Sequence, residues 1–184
     1  MDIINESMVE NWLINYFSLH KYDITITRLH DVDVSVDINY QKNYNAFYVV
    51  RRNEKWRKKY YCFLEQNKDN SNINFEMIIR YLYDETGNVE PSFSSKMLAT
   101  IHPNMPIWDQ YVLKKLHLKL EGNTKEEKIE NAIIIYNQIV AWYKMSLQED
   151  KIKVAIQQFR DIVKTYKISD VKVIDFILWG TRDN

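Results

Sequence analysis

Asp109 is the side chain best placed to do chemistry. It follows Pro103 and Pro106 and stands directly ahead of Gln110-Tyr-Val-Leu113, where a new helix should begin. Proline fixes φ and pushes the residue before it toward extended backbone, so His102 and Met105 cannot prolong a helix that ends near residue 101. A carboxylate at the first turn of the next helix can cap its open N–H groups and interact with its positive end. The same rigid placement could set a carboxylate at the floor of a cleft. Function turns on which of these Asp109 does.

A second chemical feature is electrostatic. Residues 51–61, Arg-Arg-Asn-Glu-Lys-Trp-Arg-Lys-Lys-Tyr-Tyr, carry six bases and one acid, whereas residues 1–50 carry three bases and seven acids. Overall the charges cancel, with 25 Lys and Arg against 25 Asp and Glu. That balance argues against a protein that coats nucleic acid, but a local basic patch can still contact phosphates. Arg51, Lys55, Lys58 and Lys59 are the candidate contacts. Their competing reading is a solvated helix face, with Trp56 and Tyr60 turned to the core.

The other polar clusters are weaker. His20, His30 and His117 are scattered, without metal-ligand spacing. Asp31, Asp33 and Asp37 lack the glycine and terminal glutamate of a calcium loop and read as the polar side of an extended segment. Cys62, the single cysteine, excludes an internal disulfide framework and a cysteine-rich zinc site, and reads as buried and inert. No metal or cofactor is expected.

The elements that must position these groups are helical. Apolar residues at helical spacing predict helices over 5–20, 46–66, 75–84, 92–101, 108–116, from 124 through Tyr143, 150–164 and 169–178. Asn72 or Asn74 should cap the third of these and Gly87 should stop it; Thr124-Lys-Glu-Glu127 is a capping box, and Ser169 can cap the last. Residues 24–38 alternate Ile, Val and polar residues, so a short edge strand or extended connector is expected there. Only three glycines and three prolines leave little material for hairpins, which excludes an all-β architecture. The 184 residues suit one domain, or two closely packed helical lobes. No apolar run is long enough to span a bilayer and no signal-like segment opens the chain, so a soluble, cytoplasmic monomer is expected.

The segment Pro106-Ile-Trp-Asp-Gln-Tyr-Val-Leu-Lys-Lys-Leu-His-Leu118 resembles a signature of the helix–hairpin–helix superfamily of base-excision DNA glycosylases. Ile107 and Asp109 fall near that family's Val-Asp pair, Gln110 and Tyr111 near its Thr-His, and Leu116-His117-Leu118 near its Leu-Gly-Leu end. The phrases Ser92-Phe-Ser-Ser-Lys96 and Pro106-Ile-Trp-Asp109 are also similar to those of a group of small uncharacterised bacterial proteins. The resemblance implies an all-α glycosylase-like fold over 1–184 and DNA as partner. It implies Asp109 as the carboxylate that stabilises an oxocarbenium-like sugar and orients or deprotonates water. Trp108, His102 and Tyr111 would line the pocket for a flipped base. Ser94, Ser95 and Lys96 would meet the DNA backbone, and Lys96 is in or beside the position of the family's Schiff-base lysine. The family's hairpin glycines are absent from Val89-Glu-Pro-Ser-Phe-Ser-Ser-Lys96. The resulting expectation is an enzyme that hydrolyses the N-glycosidic bond of a damaged or modified base in DNA. Its rival is a non-catalytic DNA-binding or protein-interaction module on the same scaffold, and a small-molecule enzyme using the same cleft is a third reading.

Overall fold

The structure, a computed structural model, describes residues 16–180. The described residues form nine helices and no strand, so the expected helical class holds. The predicted helix over 5–20 lies mostly outside the described residues. None of the described helices is long and apolar enough to cross a membrane. The chain divides into two compact units, one of residues 17–102 and one that takes up the chain from Pro103.

The first unit holds α1 (Tyr16–Thr27), α2 (Ile38–Tyr48), α3 (Glu54–Asn67), α4 (Phe75–Thr86) and α5 (Pro91–Ile101). Residues 24–27, expected to be extended, complete α1 instead. Leu19, Tyr22, Thr25 and Leu29 are all buried, a spacing of three and four that only a helix places on one side. The hydroxyls of Thr25 and Thr27 donate to the carbonyls four residues back, which removes the polar cost of threonine in the helix. After α1 the chain turns rather than extends. Asp33 accepts from the Ser35 N–H and hydroxyl, which hold its carboxyl below its usual range, and Asp37 caps α2 by accepting from Tyr40 N–H at 2.7 Å.

The single helix expected over 46–66 is two helices. Val49 ends α2 with φ 54° and ψ 49°, left-handed backbone that a β-branched residue rarely adopts. Asn53 then caps α3 by accepting from Trp56 N–H at 2.9 Å. On the inner faces Tyr44 of α2 meets Tyr60 and Tyr61 of α3, and Tyr40, Tyr48 and Trp56 are buried as well. As expected, Asn74 caps α4 and Gly87 ends it with φ 71°. α5 packs against α4 and buries nearly every residue from Ser94 to Ile101.

The second unit holds α6 (Gln110–Lys115), α7 (Lys125–Ser146), α8 (Asp150–Ile162) and α9 (Asp170–Gly180). Thr124 and Glu127 form the expected capping box of α7. α9 is different in kind: every residue from Val171 to Leu178 is buried, where a one-sided apolar stripe was expected. It packs against α8 and α6. Arg160 on α8 binds Asp170 at 2.6 Å and the Ile168 carbonyl at 2.9 Å, which clips the connection into α9.

Candidate functional site

Asp109 is positioned by its own helix and by a pinned turn. α5 stops at Ile101, as the prolines require. Tyr136 on α7 donates its hydroxyl to the Pro106 carbonyl at 2.9 Å, and Ser169 donates to the Pro103 carbonyl at 2.5 Å. Both proline carbonyls are thus tied to the framework of the second unit. Asp109 then caps α6, its Oδ1 accepting from Tyr111 N–H at 2.8 Å. Asp109 and Tyr111 are half-exposed, while Trp108 is only 6% exposed and belongs to the core. Burial takes from Trp108 the role of an exposed wedge or pocket wall.

A charged group that sequence reasoning missed lies in the same unit. Lys172 Nζ binds Asp175 Oδ2 at 2.6 Å, and the Tyr143 hydroxyl donates to Asp175 Oδ1 at 2.6 Å. All three are buried, and Lys172 Nζ lies 5.7 Å from the centre of the Trp179 ring. Burial pushes the Lys172 ammonium down and the Asp175 carboxyl up, each opposed by the other's charge. Burial also drives the Tyr143 hydroxyl well above its ordinary value, and the neighbouring Asp175 and Asp109 charges add to this. The Asp109 charge raises Asp175 as well, so the half-exposed carboxylate and the buried cluster share one field. The available signal was a Lys and an Asp three apart inside the apolar run Val171–Leu178, where each should have needed a partner.

The remaining predicted residues belong to the first unit. Ser94 and Ser95 are fully buried and donate to carbonyls of their own helix start, Glu90 and Ser92. With no exposed surface they present nothing to a phosphate. Lys96 is half-buried; its ammonium donates to the Tyr48 carbonyl at 3.1 Å and lies 5.0 Å from the Phe93 ring centre. Arg52 sits at the same 5.0 Å distance from that ring and binds the buried Glu90 through both carboxylate oxygens at 2.9 Å. The phrase Ser92-Phe-Ser-Ser-Lys96 is therefore explained by packing: a phenylalanine between two cations, and small hydroxyls inside. His102 closes this unit, half-exposed.

The basic segment stands apart. Arg51, Lys55 and Lys58 are exposed, and among the described residues none of them has an acid within ion-pair distance. Lys55, Lys58 and Lys59 occupy one face of α3 by their three- and four-residue spacing. Lys59 is bound to Glu85 at 2.9 Å. Beneath them a cleft of about 230 Å³ is lined by Asn53, Lys55, Trp56, Lys59, Glu85 and Asn88 among others. No cluster of His, Cys, Asp or Glu among the described residues could hold a metal ion. No family model, no curated protein and no solved structure matches this chain.

Proposed function

We propose that this chain is a DNA-binding protein that contacts the phosphate backbone through the exposed cations at the start of α3. One observation carries the reading. Arg51, Lys55 and Lys58 are exposed without an acidic partner among the described residues, at the positive end of a helix, where cations are unfavourable until an anion arrives. Binding should be modest and salt-sensitive, since a few neutralised phosphates release a few counterions. Fluorescence anisotropy with a labelled duplex provides the test. Charge reversal of Arg51, Lys55 and Lys58 to Glu should abolish binding at low salt. An unchanged affinity would return the segment to an ordinary solvated face.

A second reading adds chemistry: base excision by a helix–hairpin–helix glycosylase-like scaffold, with Asp109 as the essential carboxylate. Two features favour it. Asp109 is half-exposed after a turn tied down at both prolines. His117 takes φ 53°, the left-handed region, at the position that the resemblance aligns with a glycine. The burial of Ser94, Ser95 and Trp108 and the engagement of Lys96 weigh against the full family machinery, so the DNA-binding module is placed first. Base release from duplexes with varied lesions decides between them. If Asp109 is catalytic, wild type releases a base and Asp109→Asn loses roughly a hundredfold or more in rate. Equal rates in the two proteins would leave Asp109 a helix cap.

A further inference from the structure

The turn between α2 and α3 is made against the local preference of its residues. Residues 46–66 contain no glycine or proline, and their apolar spacing suits one continuous helix. The chain instead folds back at residues 49–53, which lie between the two helices. Val49 takes φ 54° and ψ 49° there. Left-handed backbone crowds the Cβ of any L residue against the following carbonyl, and a β-branched residue suffers most. The Val49 side chain is 54% exposed, so its own burial does not offset that strain.

What the fold-back secures lies outside the turn. The Tyr44 and Tyr60 hydroxyls meet at 2.7 Å, and Tyr61 donates to Asn45 Oδ1 at 2.7 Å. Glu65 Oε2 accepts from the Val34 N–H at 2.8 Å, and Lys68 donates to the Val32 carbonyl at 2.9 Å. Each bond joins the chain before the turn to the chain after it, and none of the partners belongs to residues 49–53. A second copy of the chain can therefore supply all of them unchanged if the turn straightens. Straightening continues the helix through Val49 and releases its strain in both copies, the condition under which short connections exchange. Three local contacts oppose it: the Asn53 cap on Trp56 N–H, the pairing of Arg52 with Glu90, and the bond from Lys96 to the Tyr48 carbonyl. They favour the closed monomer when the chain is dilute.

We propose that residues 49–53 form an exchange hinge, through which two copies of this chain trade α1 and α2 and join α2 to α3 as one straight helix. The partner is a second copy because only an identical surface repeats the Tyr44–Tyr60 and Asn45–Tyr61 pairings. The test refolds the full chain from urea at about 1 mM, where a second chain competes with a tethered element, and follows its mass by light scattering on dilution. The expected result is a dimer. In dimers refolded from mixed ¹³C-labelled and unlabelled chains, the Tyr44–Tyr60 ring contacts should appear between chains. Val49→Gly relieves the closed form and disfavours the straight helix, so dimerisation should weaken about tenfold per hinge and about a hundredfold per dimer. Val49→Ala keeps a Cβ in left-handed backbone and favours helix, so it should dimerise at least as well as wild type. A wild type that stays monomeric at about 1 mM overturns the hinge, as does a dimer whose Tyr44–Tyr60 contacts stay within one chain. An unchanged dimer constant in Val49→Gly overturns it too. Equal weakening in the Gly and Ala variants would make Val49 an apolar contact in an ordinary interface, and the hinge would again fail.

Discussion

The two units handle buried polar groups differently. Residues 17–102 bury chiefly neutral hydroxyls: Tyr40, Tyr44, Tyr60 and Tyr61 each find an oxygen partner, and the buried Glu90 pairs with a cation, Arg52, that stays at the surface. From Pro103 onward the chain buries full charges, Lys172 and Asp175, with Tyr143 as the third member. Neutral pairs tolerate loss of one member at modest cost, because the remaining group strands a dipole. A buried ion pair does not, since the survivor is an uncompensated charge. Arg51, Lys55 and Lys58 differ from both, because they remain at the surface and have no acidic partner among the described residues. Internal polarity in this protein is a matter of packing, and the open electrostatics are the better pointer to function.

The sharpest break of that contrast is Lys172→Met. It should cost about 3–5 kcal/mol, because Asp175 is left buried without its cation. Burial already holds the Asp175 carboxyl above its ordinary value, and losing Lys172 removes an opposing influence. A carboxyl raised in the folded state favours folding at low pH, and that contribution is lost as pH rises through the unfolded value of about 3.9 to the raised one. Urea unfolding should therefore show a smaller deficit at pH 4 than at pH 7. Replacing both members, Lys172→Met with Asp175→Leu, should recover most of the loss; a double variant as unstable as the single one would contradict the ion-pair account.

The neutral network predicts a smaller and asymmetric effect. Tyr60 has one hydroxyl proton and donates it to the Phe93 carbonyl at 3.0 Å, so Tyr44 must be the donor in the 2.7 Å contact between the two hydroxyls. Tyr60→Phe strands the Tyr44 proton, and should cost about 1–3 kcal/mol. Tyr44→Phe leaves no donor stranded and should cost about 0.5–1.5 kcal/mol. Equal urea midpoints would mean that the proton order is wrong. Smallest of all, Asp109→Asn keeps a capping oxygen and should stay within about 1 kcal/mol of wild type by the same measurement.

Much of the helical framework was legible because its signals are local. Pro103 and Pro106 end α5, Gly87 stops α4, and Thr124 with Glu127 opens α7 through side chains that act within one turn. Two elements were not legible for the same physical reason in reverse. Ile24 and Ile26 alternate like a strand, but burial of Leu19, Tyr22 and Thr25 on one side decides for helix. The break at Val49 needs left-handed backbone at a β-branched residue, which no local preference would propose; Asn53 beside Glu54 was the overlooked capping signal. At the site, the placement of Asp109 as a cap followed from the prolines. The burial of Ser94, Ser95 and Trp108, and the cluster around Lys172, depend on packing between helices distant in sequence. A linear reading does not carry that information.

The central claim is that the start of α3 meets DNA phosphates, and the salt dependence of duplex affinity tests it most directly. Each phosphate neutralised contributes about −0.9 to the slope of log K against log salt. Contacts from Arg51, Lys55 and Lys58 predict a slope of about −3 for the wild type. Lys55→Gln with Lys58→Gln should flatten it by about 2 while leaving thermal unfolding in place. A wild type that binds with a slope near zero, or a double variant whose slope matches the wild type, would contradict the account.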